Sequence, residues 1–63
     1  MKITLNGEPT ELAAPTSVAE LLGADPRGRA VAVNGSVVPR DRHVTTELTD
    51  GDEVEIVTAV QGG

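Results

Sequence analysis

The sequence of 63 residues contains no cysteine and no aromatic residue. Without cysteine it can form no disulfide, and a zinc site would have to form without thiolate ligands. Without Phe, Tyr or Trp, the core has to consist of leucine, valine, isoleucine and alanine. A chain this short buries only about 60% of the surface that its unfolded form exposes. We therefore expect one small domain of marginal stability.

Basic residues are also scarce, since 5 Lys and Arg stand against 10 Asp and Glu, for a formal net charge of -5. This charge disfavours nucleic-acid binding, and no aromatic side chain is present to stack on bases. No apolar run approaches the roughly 20 residues of a membrane span, and the first residues lack the apolar core of a signal peptide. We expect a cytoplasmic protein that binds neither nucleic acid nor membrane.

The first residues, KITLNGEPTEL, predict a β-hairpin. Ile3 and Leu5 alternate with polar residues, as in a half-buried strand. The Asn-Gly pair at 6–7 is typical of a two-residue type I′ turn. The return strand, predicted at 8–12, should lie at a sheet edge, because Pro9 has no N–H to donate to a neighbouring strand.

The stretch APTSVAELLGADP predicts a short helix. Ser17 and Glu20 have the spacing of a capping box, in which each side chain accepts a hydrogen bond from a free N–H at the helix start. Gly23 is a plausible end of the helix. The apolar residues expected on one helix face are Val18, Leu21 and Leu22.

The second half of the chain predicts three further strands. RAVAV places Val31 and Val33 on one side of a strand, and a second Asn-Gly turn leads to a short strand at 36–38. RDRHVTTELT is irregular and polar, with room for one helical turn. The last predicted strand follows the Asp50-Gly51 turn. Its inner residues should be Val54 and Ile56, and its outer residues Glu53, Glu55 and Val57.

This order of elements predicts an α+β fold with one main helix on one face of a mixed sheet of four to five strands. We expect the last strand to lie parallel to the first, with both at the centre of the sheet. Beneath the helix these two strands would bury Ile3, Leu5, Val54 and Ile56.

Few residues suggest catalysis or metal binding. His43 is the only histidine, and no cysteine or neighbouring serine forms a nucleophile pair with it, so we interpret it as a surface or half-buried structural residue. The acidic residues Asp50, Asp52, Glu53 and Glu55 lack the ligand spacing of an EF-hand calcium loop. We interpret them as a solvated acidic edge; the alternative is an edge that meets a basic partner surface.

The sequence finishes on AVQGG, and the glycine pair is its most unusual feature. Because glycine has no Cβ, its backbone can enter a slot that excludes every other residue. A flexible segment at 59–63 would reach about 17 Å from the sheet, at ~3.3 Å per residue. The carboxylate of Gly63 could then be activated as an acyl-adenylate in the active site of an ATP-using enzyme. Chance or truncation is the alternative explanation of the two glycines.

Four stretches of the sequence together resemble the ThiS family, the sulfur carriers of thiamine biosynthesis. They are TSVAELL, AVAVNGSVVPR, DGDEVEIV and the final QGG. The resemblance covers nearly the whole chain in order. It implies a ubiquitin-like β-grasp fold, with a domain at 1–58 and a flexible tail at 59–63. Members of the family often carry a tryptophan near the position of His43.

The resemblance also implies a mechanism. An E1-like adenylyltransferase (ThiF) would use ATP and magnesium to adenylate Gly63. A persulfide supplied through a cysteine desulfurase would replace AMP and leave a thiocarboxylate, from which thiazole synthase (ThiG) would take the sulfur. The chain itself would bind no cofactor or metal and would be a cosubstrate, not an enzyme. Residues implied in partner binding are Val57, Ala59, Val60, Gln61 and Gly62.

Three other functions remain compatible with these residues. The small subunit of molybdopterin synthase shares the implied fold, diglycine and thiocarboxylate chemistry. A ubiquitin-like modifier would instead join Gly63 to a lysine of a target protein. The third possibility is an interaction domain in which the final glycines have no role.

Overall fold

The computed structural model describes residues 1–23 and 29–58. This part of the chain forms one sheet, one α-helix and one 3₁₀ turn. The strands are β1 (Lys2–Leu5), β2 (Glu8–Glu11), β3 (Arg29–Val33), β4 (Ser36–Val38) and β5 (Glu53–Thr58). The helix α1 spans Val18–Leu22, and the 3₁₀ turn spans Arg40–Arg42. None of the helices in the described part is long and apolar enough to cross a membrane.

The sheet has the strand order β2-β1-β5-β3-β4. β1 and β5 are parallel, whereas the other neighbouring strands are antiparallel. The prediction of parallel, central first and last strands is therefore confirmed. Pro9 lies in β2 at one edge of the sheet, where a residue without an N–H is tolerated.

Both Asn-Gly turns have the backbone predicted for them. The φ angles are 50° at Asn6 and 85° at Gly7, and 52° at Asn34 and 83° at Gly35. A type I′ turn needs positive φ at both central residues, and asparagine and glycine adopt that conformation most readily. These turns fix the registers of the β1–β2 and β3–β4 hairpins.

The predicted capping box is present at the start of α1. The Ser17 hydroxyl oxygen accepts a hydrogen bond from the Glu20 N–H at 3.1 Å, and the Glu20 carboxylate accepts one from the Ser17 N–H at 2.8 Å. These bonds satisfy two of the backbone donors near the N-terminus of the helix.

The loop before β5 satisfies the remaining donors of the first helical turn. The Val18 N–H donates to the carbonyl of Thr46, and the Ala19 N–H donates to the carbonyl of His43, both at 2.9 Å. A helix of five residues has little stability of its own. The loop therefore holds α1 against the sheet by its backbone as well as by its side chains.

The core lies between α1 and the inner face of the sheet. Its buried apolar residues are Ile3, Val18, Leu22, Val31, Leu48 and Val54. Leu5 and Ile56, which we expected to be buried, are only half-buried and pack against this cluster. Leu48 was not predicted, because it lies in an irregular polar stretch where no periodicity marks an inner side.

His43 is buried, and the prediction of a surface or half-buried position is wrong. Only 4% of the residue is exposed, and ring atom Nε2 lies 3.0 Å from the carbonyl oxygen of Val38. Since a carbonyl only accepts, this contact assigns the ring proton to Nε2. The other ring nitrogen, Nδ1, is buried without a hydrogen-bond partner in the described structure. The His43 side chain is thus buried against the end of β4.

Candidate functional site

The sheet face opposite α1, called the outer face from here on, carries an apolar groove. Val57 on β5 pairs with Ala30, and Ala32 on β3 pairs with Val37. Paired residues of antiparallel strands project from the same face, so these four side chains are neighbours. Val57 is 59% exposed and Val37 73% exposed. The groove holds about 160 Å³.

The groove follows directly from the residues of β3. Alternation sends Val31 into the core and leaves the small side chains of Ala30 and Ala32 on the outer face. Alanine beside two valines makes a depression rather than a filled surface. An exposed apolar depression on so small a domain is typical of a surface that a partner covers.

Two carboxylates of β5 lie on this face, and one of them, Glu55, also lines the groove itself. Glu53 and Glu55 are exposed on β5, and they line a second depression of about 280 Å³ that lies between the two Asn-Gly turns. Its lining residues are Thr4, Gly7, Gly35, Glu53, Val54 and Glu55. The outer face is therefore acidic where β5 begins and apolar where it ends. Its chemistry suits a partner with apolar and basic side chains.

The predicted acidic edge is exposed at Asp50, Glu53 and Glu55 but not at Asp52. Asp50 accepts a hydrogen bond from the Lys2 N–H at 2.7 Å, and Asp52 is buried, with only 9% of the residue exposed. Of these four acidic residues, Asp52 alone is withdrawn from solvent. The interpretation of Asp52 as a solvated residue is wrong, because backbone and side-chain donors surround its carboxylate.

The carboxylate of Asp52 accepts three hydrogen bonds. One oxygen accepts from the Thr49 N–H at 2.8 Å, and the other from the Thr49 hydroxyl and the Asn34 amide, each at 3.0 Å. Burial alone raises the pKa of Asp52. The backbone hydrogen bond from Thr49 and the side-chain bonds from Asn34 and Thr49 outweigh that effect, so the pKa lies below its ordinary value. Asp52 is therefore a charged structural anchor of the turn before β5.

The predicted site residues divide into two groups. Val57 lies on the outer face, exposed as expected. The other predicted site residues lie outside the described residues: Ala59, Val60, Gln61, Gly62 and Gly63. Sequence reasoning did not assign Ala30, Ala32 and Val37 to a site. The alternation in β3 indicates that Ala30 and Ala32 face away from the core. It does not indicate which residues of the neighbouring strands lie beside them.

The described residues offer no obvious metal centre. Within 1–23 and 29–58 no group of three or more His, Cys, Asp and Glu side chains is arranged to hold a metal ion. His43 faces the protein interior and the carbonyl of Val38, so its geometry is that of a packing residue.

Comparison with known families decides which proteins this chain resembles. The sequence model of the ThiS family matches residues 3–63. The chain belongs to the ThiS family. The resemblance stated from the sequence is confirmed, and the match extends over β5 and the final glycines.

Individual ThiS-family relatives match along the whole chain. Sulfur carrier protein ThiS of Escherichia coli is 35% identical, and the match covers 100% of both chains. A crystal structure of thiamine biosynthesis protein ThiS from Geobacter metallireducens is 35% identical over 100% of both chains, with a TM-score of 0.86. This structural match confirms the β-grasp fold.

A thiazole synthase contains a similar sequence. The protein of Paramagnetospirillum magneticum is 38% identical over 66 aligned positions, which cover 100% of this chain and 20% of that protein. The chain therefore spans about a fifth of the length of this relative.

Proposed function

We propose that this chain is a sulfur carrier of thiamine biosynthesis, a protein cosubstrate that other enzymes load and unload. The observation that carries the proposal is the ThiS-family match over residues 3–63, which includes the glycine pair. The E. coli relative, which the match covers over its whole length, is named a sulfur carrier. Because loading consumes ATP, we also place the protein in the cytoplasm.

The proposed loading begins at the carboxylate of Gly63. One carboxylate oxygen attacks the α-phosphorus of ATP in a ThiF-type adenylyltransferase with magnesium, and pyrophosphate leaves. The terminal sulfur of an enzyme persulfide, supplied through a cysteine desulfurase, then attacks the acyl carbon and displaces AMP. A thiol cleaves the resulting acyl disulfide, is oxidised to a disulfide itself, and releases the thiocarboxylate. ATP and magnesium belong to the partner enzyme, and this chain supplies the acyl group.

The proposed consumer of the thiocarboxylate is a thiazole synthase of the ThiG type. Support comes from the thiazole synthase of P. magneticum, in which a stretch similar to this chain makes up part of a single protein. When a carrier and the enzyme that takes its sulfur are parts of one polypeptide, each is present at a high effective concentration for the other. Here the same encounter would take place through the outer face of the sheet.

The outer face supplies the docking chemistry for these partners. Val57 lies on β5, the strand that leads to residue 59, so a partner that binds the groove also lies close to the start of the segment 59–63. We propose that Val57 contacts the partners directly and that Ala59, Val60, Gln61 and Gly62 line the path to Gly63. Glycine at 62 leaves that path free of side-chain bulk.

An intact-mass measurement tests this function. We expect incubation with an active ThiF-type enzyme, ATP, magnesium and a persulfide donor to raise the mass by the difference between sulfur and oxygen, with the change located at Gly63. A variant without residues 62–63 is the matched control and should keep its mass. An unchanged wild-type mass with an active enzyme would contradict the proposal. A covalent adduct with a target protein would indicate a modifier instead.

A further inference from the structure

The two Asn-Gly turns both reach β5, from opposite sides. The Asn6 N–H donates to the Val54 carbonyl at 2.9 Å, and the Asn34 N–H donates to the Glu53 carbonyl at 2.7 Å. Each turn belongs to a different hairpin, and β5 lies between the two hairpins. The asparagines also extend their side chains to the backbone of β5, but at different points along it.

The Asn6 carboxamide pairs with the backbone of Ile56. Its oxygen accepts from the Ile56 N–H at 2.9 Å, and its Nδ2 donates to the Ile56 carbonyl at 3.3 Å. The register of β1 with β5 ends at the pair of Leu5 with Val54. The side chain therefore extends the pairing of β5 beyond the end of β1, where a strand residue would otherwise be needed.

The Asn34 carboxamide acts at the other end of the strand. Its oxygen accepts from the Glu53 N–H at 2.9 Å, and its Nδ2 donates to the Asp52 carboxylate at 3.0 Å. Two asparagines with the same turn conformation thus hold the beginning and the later part of β5 separately. Only Asn6 bonds next to Val57.

We propose that Asn6 is a positioning residue for the encounter with the loading enzyme. β3 pairs with Ile56–Thr58 on one side of β5, and the Asn6 carboxamide holds Ile56 on the other side, so the bond restricts the backbone next to Val57 from both sides. Without this bond, the β1 side of Ile56 would be bonded to water, and β3 alone would hold the end of β5. Docking would then have to restrict the backbone around Val57, which weakens binding. The inference rests on the proposed function.

The test compares Asn6→Gly with Asn34→Gly. Glycine keeps the positive φ of either turn and removes only the carboxamide. In Asn6→Gly we expect the Ile56 amide to exchange its hydrogen about fivefold faster, whereas in Asn34→Gly the Glu53 amide should respond and Ile56 should not. Fivefold corresponds to ~1 kcal/mol, at 1.4 kcal/mol per tenfold.

Loading kinetics then separate positioning from stability. The assay contains a ThiF-type enzyme and ATP, and loading is measured as pyrophosphate release. Asn6→Gly should raise the KM for the carrier about fivefold and leave kcat within about twofold of the wild-type value. Asn34→Gly should leave the KM unchanged. Asn6→Asp keeps the acceptor for the Ile56 N–H but loses the donor to its carbonyl, so its KM should lie between wild type and Asn6→Gly.

Each result decides the proposal. A faster Ile56 exchange together with a raised KM in Asn6→Gly alone supports it. An unchanged KM in Asn6→Gly, beside normal loading of the wild type, overturns the role of Asn6 and leaves the carrier function intact. An equal rise of KM in both glycine variants shows a general loss of stability and also overturns it. A wild type that an active enzyme does not load overturns the proposed function, and this inference with it.

Discussion

Asp52 shows how one buried carboxylate ties three parts of this small domain together. It accepts hydrogen bonds from Thr49 in the preceding turn and from Asn34 in the β3–β4 turn, and it directly precedes β5. Neither composition nor periodicity distinguishes it from its exposed neighbours Asp50 and Glu53. The distinction comes from tertiary donors that the linear sequence does not reveal.

We predict that Asp52→Asn destabilises the protein by ~1–2 kcal/mol at neutral pH, since the amide removes one acceptor and places a donor among donors. The folded-state pKa of Asp52 lies below its unfolded value. The contribution of Asp52 to the free energy of unfolding is therefore fully present above the pKa of the unfolded state. It is lost as the pH falls through the pKa of the folded state. Urea unfolding between about pH 7 and pH 2 should show the difference between wild type and variant shrink in acid.

Glu55→Gln is the matched control for this experiment, because Glu55 is an exposed carboxylate on the outer face. Its stability should stay within about 0.5 kcal/mol of wild type at each pH. If Asp52→Asn had the same free energy of unfolding as Glu55→Gln at every pH, the hydrogen bonds of Asp52 would not stabilise the fold.

At the scale of elements, local chemistry specified the ends of most secondary structures. The Ser17–Glu20 spacing located the helix start, and the two Asn-Gly pairs located the hairpin turns, because each of these signals acts within a few residues. The loop that contains His43 and Leu48 was harder to predict. Its backbone bonds to α1 and its side chains fill the core, and both depend on partners far away in the sequence.

The capping box gives the second stability prediction. Ser17→Ala removes the acceptor for the Glu20 N–H and should lower the free energy of unfolding by ~1 kcal/mol. For a domain of this size that corresponds to a fall in Tm of about 4–8 °C. Ser36→Ala, at an exposed position in the edge strand β4, is the control and should move Tm by much less. Equal shifts in the two variants would contradict the importance of the cap.

At the scale of the whole molecule, the two sheet faces have separate tasks. The inner face packs on α1 and the loop before β5, whereas the outer face presents a groove formed by Ala30, Ala32, Val37 and Val57. The α+β class, the central parallel pair of first and last strands and the exposure of Val57 were predicted from the element order and alternation, and the β-grasp fold was implied by the family resemblance. The groove did not, because it is made by residues of three strands whose register is set only in the assembled sheet.

The outer face gives the third prediction. Val57→Asp places a charge in the groove and should weaken binding to the loading enzyme about tenfold or more, as expected for a residue at the centre of an interface. The domain should remain folded, because Val57 is 59% exposed. Binding would be measured by titration calorimetry and folding by thermal unfolding.

Val44→Asp is the control, since Val44 is 74% exposed but lies outside the strands that form the groove. It introduces the same charge and should leave affinity close to that of wild type. If both variants weakened binding equally, overall charge rather than the groove would explain the effect, and Val57 would be removed from the interface.

The position of β5 has a consequence for synthesis and quality control. Among the strands of residues 1–23 and 29–58, β5 is translated last. It nevertheless lies between the two hairpins, which have no strand between them until β5 is made. A nascent or prematurely terminated chain that stops before residue 53 would expose the unpaired edges of β1 and β3 and be open to proteolysis. We therefore expect chains that are translated through β5 to resist proteolysis better than chains that stop before it.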